Sequence, residues 1–250
     1  MDKNITIAYF SPTGNTKKSL EAMAEALGGE TKQIDLTVAK NAVQESFSAN
    51  DIVIFGIPVY GGRIPAAAKE RFAGLKGENT SCLIVATYGN RDFDDALVEL
   101  ADMVQEQGFL VKGAAALIGR HTFGEIQVDR PDAEDLAACK QFAVDAMNKP
   151  EGNSAVDIPG NRPYKDGGKG GPYRPLTSDA CVQCGLCTRL CPMQAIGEDY
   201  KTIADTCISC FRCIRRCPVG AKNMDTQAYR EFAVMFTEKL KERKENQFFL

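Results

Sequence analysis

The chain has 250 residues, 44% of them apolar and 25% charged, with a formal charge of −3. That composition excludes wholesale disorder and leaves room for one large domain or two modest ones, and it argues against a nucleic-acid binder, which carries a basic excess. No run approaches the roughly 18 apolar residues of a membrane span, and Met-Asp-Lys-Asn leads into a strand-like run too soon for a secretory leader. One histidine and no tryptophan exclude any site built on several His ligands.

In chain order, residues 4–10, 32–36, 51–55, 81–87 and 110–118 read as strands from their β-branched content and flanking turns. Residues 17–27, 66–75, 92–107 and 132–147 are rich in Ala, Leu and Glu at helical spacing, and 39–49 is ambiguous. Strand–helix alternation through five strands predicts a doubly wound α/β fold, a parallel sheet with helices on both faces and binding loops at the carboxyl ends of its strands. Cys82 falls in a strand and Cys139 in a helix, so both are expected to be buried thiols.

Three loops at that sheet end carry chemistry. After the first strand, Ser11-Pro12-Thr13-Gly14-Asn15-Thr16 leads straight into a helix, making an anion cradle of hydroxyl and amide donors. It is neither a Walker A loop nor G-x-G-x-x-G, and it suits a single terminal phosphate. Taken alone it could be a plain Ser/Thr helix cap. Pro58-Val59-Tyr60-Gly61-Gly62-Arg63-Ile64-Pro65 and Thr87-Tyr88-Gly89-Asn90-Arg91 follow the third and fourth strands. Each sets a tyrosine beside flexible backbone, which suits a flat heteroaromatic ring. A phosphate cradle with two aromatic loops is what FMN requires. Arg63 is a candidate for the flavin's N1–C2 edge, with a surface ion pair as its alternative. His121, after the fifth strand, is a candidate to touch the flavin or shuttle a proton to it.

Residues 150–175 hold five prolines and six glycines and cannot build a core of their own. Tyr164 and Tyr173 are expected to pack this joint along the first domain.

Eight of the ten cysteines then fall in one block. Cys181, Cys184, Cys187 and Cys191-Pro192 recur 26 residues later as Cys207, Cys210, Cys213 and Cys217-Pro218, an internal duplication. In C-x₂-C-x₂-C-x₃-C-P three thiolates embrace one cubane while the fourth ligates the other. The spacing therefore assigns Cys181, Cys184, Cys187 and Cys217 to one 4Fe–4S cluster, and Cys207, Cys210, Cys213 and Cys191 to a second. Two Cys₄ zinc knots are the competing reading, but zinc requires neither the repeated x₂ spacing nor a crossed ligand. The radical-SAM spacing is absent. Arg212 and Arg215 are read as counter-charges near the clusters or a docking face. Residues 225–247 read as a terminal helix that packs back on the protein or against a second copy.

The cysteine block resembles a bacterial-type two-cluster ferredoxin, and residues 4–148 resemble the flavodoxin family, whose phosphate loop reads [ST]-x-T-G-x-T. The departure is the missing tryptophan, which leaves Tyr60 or Tyr88 to stack on the flavin. Taken whole, the chain is similar to the flavodoxin–ferredoxin fusion proteins of anaerobic microbes. That resemblance implies a flavodoxin-like five-stranded parallel sheet in residues 1–149, a linker in 150–176, a small α+β two-cluster ferredoxin domain in 177–225 and a C-terminal helix in 226–250. It implies FMN plus two 4Fe–4S clusters, and electron transfer with soluble redox partners in a reducing cytoplasm rather than with nucleic acid or membrane. The alternatives are an FMN-dependent reductase of a small molecule fed by the ferredoxin domain, and a flavin-free docking module.

Overall fold

The computed structural model describes residues 4–38, 43–149, 155–167 and 172–250. Its centre is a sheet built from β1 (Asn4–Tyr9), β2 (Thr31–Asp35), β4 (Asp51–Pro58), β6 (Thr80–Tyr88) and β7 (Phe109–Ile118). These five pair in parallel in the order β2-β1-β4-β6-β7, the flavodoxin-like winding with its switch point between β1 and β4. Between β2 and β4 lies β3 (Glu45–Phe47), which pairs with β5 (Leu75–Gly77) as a separate two-stranded piece. The ambiguous stretch 39–49 thus ends in a short strand, while its residues 39–42 lie outside the described ones.

Period-two alternation distributes the core between the faces. Val53, Phe55 and Ile57 of β4 pack with α2 (Ala66–Phe72) and α3 (Ala96–Glu106). Ile54 points the other way, toward α1 (Asn15–Leu27) and α4 (Ala133–Met147). Phe55 meets the ring of Phe109 edge-on at 4.8 Å and that of Phe72 at 5.9 Å. Cys82 and Cys139 are buried, as expected, and burial pushes both thiols up, Cys139 to about 12.

The sheet has a sixth strand. The terminal helix, α7 (Gln227–Lys239), is shorter than the apolar spacing predicts. Asn90 Nδ2 donates to the carbonyls of Leu240 (2.8 Å) and Glu242 (2.7 Å), and the chain returns as β10 (Gln247–Phe249), antiparallel to β7. Gln-Phe-Phe alternates as a strand does: Phe248 joins the α1/α4 face and Phe249 the α2/α3 face. The sheet is therefore six-stranded and mixed rather than five-stranded and parallel.

The joint is tied to α3. Asp95 Oδ1 accepts from Asn161 N at 2.8 Å and Oδ2 from Lys165 N at 2.7 Å. Asp102 accepts from Arg162 and Tyr164, and Gly160 lies so close to Val98 that a Cβ would come within 2.3 Å of it. Tyr164 thus packs as expected; residues 150–154 and 168–171 lie outside the described ones. Beyond it, β8 (Leu176–Thr177) pairs antiparallel with β9 (Lys222–Asn223), and α5 (Leu186–Leu190) and α6 (Arg212–Arg215) lie between them in sequence. Tyr173, Phe232 and Tyr229 gather around Phe123, so α7 packs back on its own chain. Among the described residues no helix is long and apolar enough to cross a membrane.

Candidate functional site

A cavity of about 860 Å³ opens at the carboxyl ends of β1, β4, β6 and β7, within the usual range for small-molecule sites. Its floor is the loop after β1. Ser11 N donates to Thr37 Oγ1 (2.9 Å), and Lys17 N donates to Ser11 Oγ (3.2 Å). Gly14, at φ 94°, is the N-cap of α1 and has no side chain to cap it; the Ser11 hydroxyl, three residues earlier, accepts from the third helical amide instead. The two first-turn amides that remain, of Asn15 and Thr16, favour an anion. Ser11, Thr13, Asn15 and Thr16 line the cavity, whereas Gly14 shapes the turn from outside it.

The loop after β4 turns through Gly61 (φ 62°) and Gly62 (φ 82°), closed by paired backbone bonds between Tyr60 and Arg63 at 3.0 and 3.2 Å. Two successive positive φ values demand glycine here. Pro58, Val59, Tyr60, Gly61 and Arg63 border the cavity. Gly62 does not, because its α-carbon faces Asp94. Burial, reinforced by nearby Cys210, pushes the Tyr60 phenol well above its ordinary pKa, so it stays protonated. Arg63 is engaged: Nε and Nη2 donate to Glu99 at 2.7 and 2.8 Å and Nη1 donates to Lys165 O at 2.6 Å. Burial raises the pKa of Glu99, but Arg63, the Ile64 amide and Lys69 outweigh it and hold the carboxylate below its usual range. This ion pair is half-buried and spans from the cavity wall to the joint.

In the loop after β6, Thr87, Tyr88 and Gly89 border the cavity. The buried Thr87 Oγ1 has no hydrogen-bond partner, so it is ready for a polar ligand atom. Tyr88 is largely a core residue, edge-on to Phe93 at 5.5 Å, which leaves Tyr60 the better placed of the two tyrosines to cover a ring. Asn90 and Arg91 turn away, the first to the C-terminal tail and the second to Asp94. Their place beside Tyr88 in sequence concealed this.

Sequence reasoning missed most of two walls. One is the loop after β7, where Gly119, Arg120, Thr122 and Phe123 join His121; Arg120 Nε is buried and unpartnered. A Cβ on Gly89 would stand 2.1 Å from the His121 ring. His121 Nδ1 lies 2.8 Å from Phe123 N and 3.0 Å from Phe123 O, so the backbone of Phe123 fixes the ring's orientation. Burial pushes the imidazole down to about 4, so it enters as a neutral wall. The unfolded chain takes up this proton near pH 6.5 and the folded one does not, so stability is unaffected above that value and declines from there toward pH 4. The NMR signal of the single histidine is expected to stay flat down to about pH 5. Stability should fall by about 1 kcal/mol more between about pH 7 and 5.5 than in His121→Phe. Titration of the ring near pH 6.5 would contradict this placement.

The other wall comes from the cysteine-rich segment: Met193, Asp205, Thr206, Cys207, Ile208 and Ser209. Behind it the eight cysteines surround two hollows. Cys191, Cys207, Cys210 and Cys213 border the one next to the cavity. Cys181, Cys184, Cys187 and Cys217 border the other, where Cys184 is exposed. These are the crossed sets read from the spacing. Ala195 N donates to Cys191 Sγ at 3.3 Å and Ser209 N to Cys207 Sγ at 3.4 Å. Burial raises the Cys217 pKa, but amides of residues 219–222 outweigh it and lower it. No disulfide forms, and among the described residues no three His, Cys, Asp or Glu side chains converge on a single-ion site. A lone zinc would draw its thiolates to about 3.8 Å of one another. Four cysteine sulfurs around each hollow, with backbone donors to sulfur, match the ligand chemistry of a 4Fe–4S cluster.

Fold and site together define a doubly wound α/β protein with a hydroxyl-bearing loop at its switch point and a cysteine-rich segment closing the same cavity. A family model for the flavodoxin domain matches residues 6–78, and one for the 4Fe-4S binding domain matches residues 176–197. The chain is a fusion of a flavodoxin domain with a 4Fe–4S binding segment. Among solved structures it is similar to oxidised flavodoxin 2 from Bacillus cereus, at 18% identity over 58% of this chain and 97% of that one, with a TM-score of 0.44. A flavodoxin from the domain Archaea matches at 15% identity over 57% and 95%, with a TM-score of 0.39. The rubredoxin oxygen:oxidoreductase of Desulfovibrio gigas matches at 17% over 57% of this chain and 35% of that one, with a TM-score of 0.42. No curated protein sequence matches the chain.

Proposed function

We propose that this chain is an electron-transfer protein holding FMN in the large cavity and one 4Fe–4S cluster in each cysteine-lined hollow. The observation that carries this reading is the shared wall: Cys207 borders both the cavity and the nearer hollow. FMN exchanges one or two electrons and a 4Fe–4S cluster exchanges one, so the pair interconverts the two kinds of traffic.

The chain's own residues supply position and environment. Ser11, Thr13, Asn15 and Thr16, with the first amides of α1, hold the phosphate. Tyr60 covers the ring, and Thr87 Oγ1 and Arg120 Nε meet its polar edge. Cys191, Cys207, Cys210 and Cys213 place one cluster against that site. Cys181, Cys184, Cys187 and Cys217 place the other farther out, where the exposed Cys184 faces soluble redox partners. Residues 1–149 form the flavin unit, 150–176 the joint, 177–225 the cluster unit and 226–250 the closing tail. Free thiolate ligands suit a reducing cytoplasm and an anaerobic or microaerobic owner.

Anaerobic purification followed by assay is expected to find about one FMN and about eight irons per chain, as two cubanes require. About four irons would remove the second cluster. Eight irons with no flavin taken up, even from added FMN, would make the N-terminal unit a docking scaffold.

A further inference from the structure

The two copies of the cysteine motif differ where the second meets the flavin unit. Shifting the sequence by 26 residues pairs Gly185 with Phe211 and Leu186 with Arg212. Gly185 begins α5 at φ 70°, and Phe211 begins α6 in the same left-handed turn at φ 58°. Glycine adopts that conformation freely, whereas a bulky side chain does so only at a cost. The cost is offset by packing, since the Phe211 ring meets Phe123 at 5.4 Å and Tyr229 at 5.8 Å.

Arg212 goes further across the boundary. It is buried, and its Nη1 donates to the carbonyl of Pro12 at 2.8 Å and to that of Ser11 at 3.4 Å. Its Nε is buried without a partner. The same residue borders the hollow lined by Cys191, Cys207, Cys210 and Cys213. Arg215, one turn on, reaches the backbone of His121 at 2.9 Å, so the cluster helix is fastened to two cavity loops. Only Arg212 engages the anion loop itself.

We propose that Arg212 is a positioning residue serving both cofactor sites. It draws the Ser11 and Pro12 carbonyls to one side, which leaves the loop's hydroxyls and amides facing the phosphate. It also keeps a fixed positive charge between that phosphate and the nearer thiolate set. A phosphate dianion and an electron added to the cluster repel each other across this boundary, and the guanidinium screens the repulsion. The proposal rests on the functional reading above.

The test compares wild type, Arg212→Gln and Arg212→Lys for affinity toward FMN and toward riboflavin, which lacks the phosphate, and for the midpoint potential of each cluster. Arg212→Gln is expected to weaken FMN by about tenfold or more, the scale of charge-assisted hydrogen bonds, while riboflavin changes little. The potential of the nearer cluster falls and that of the farther one stays. Arg212→Lys keeps the charge without the rigid planar guanidinium, so it keeps the potential and loses part of the FMN affinity; it also serves if the Gln variant fails to fold. Equal loss of FMN and riboflavin, or an unmoved nearer potential in Arg212→Gln, overturns the proposal. A wild type that takes up neither FMN nor iron overturns the functional reading instead.

Discussion

Replacing Cys191 with Ser is expected to cost the chain the cluster of the other motif. By sequence Cys191 closes the run that begins at Cys181, yet it borders the hollow of Cys207, Cys210 and Cys213. Cys217 is exchanged the opposite way. Pairwise loss of iron reads this crossing directly. Cys191→Ser should lower iron from about eight to about four per chain, each cubane holding four. Adding Cys207→Ala should remove little more, because both changes strike one cluster. Adding Cys181→Ala should remove nearly all of it. An uncrossed arrangement reverses the two double variants, so one iron assay on three proteins separates the alternatives. The Cys191 variant should also lose the cluster nearer the cavity and keep the one beside exposed Cys184.

The crossed lining of the two hollows was legible because it is a matter of short covalent spans. Three thiols at x₂ spacing close on one point, and x₃-C-P sends the fourth elsewhere whatever surrounds them. The five parallel strands were legible for a similar reason, since their apolar runs are local. The loop after the first strand was legible as a cavity floor only in company with the two tyrosine loops, since alone it reads equally as a helix cap. What failed were inferences from adjacency. Gly62, Asn90 and Arg91 sit beside ring-loop residues in sequence, but Asp94 and the tail claim them. Arg63 does border the cavity, and the ion pair weighed against its flavin role is present, with a carboxylate 36 positions away in the chain. The wall formed by residues 205–209 could not be read at all, because no local pattern in that segment records which loops it faces.

The sixth strand was missed because Tyr229, Phe232 and Phe236 carry a helical period that masks the short Gln-Phe-Phe at the end. Its anchor is equally non-local. Arg130 and Asp135 form an ion pair in which the two residues are 4% and 3% exposed. Arg130 also donates to Lys244 O, and Asp135 accepts from Asn246 Nδ2 at 2.8 Å and from Asp132 N at 2.9 Å. Asn246 Oδ1 in turn accepts from Ile118 N at 2.8 Å, two residues beyond Ala116, the last residue of β7 that pairs with β10. A charge pair taken out of water stabilises little by itself, but removing one partner strands the other.

Arg130→Ala is therefore expected to cost about 3–5 kcal/mol, a fall in Tm of about 10 °C for a chain of this size. Amides on the β10 side of β7 should lose hydrogen-exchange protection at the same time, since the tail loses its hold on the sheet edge. The paired change Arg130→Met with Asp135→Leu should recover part of the loss, because no buried charge is left alone. Full recovery is not expected, as Asp135 also belongs to the capping box of α4. A loss under about 1 kcal/mol in Arg130→Ala, the value of an exposed pair, would mean that the tail is held by Phe248 and Phe249 alone. In that case the ion pair only shapes the turn into α4, and the edge strand depends on its two aromatic side chains.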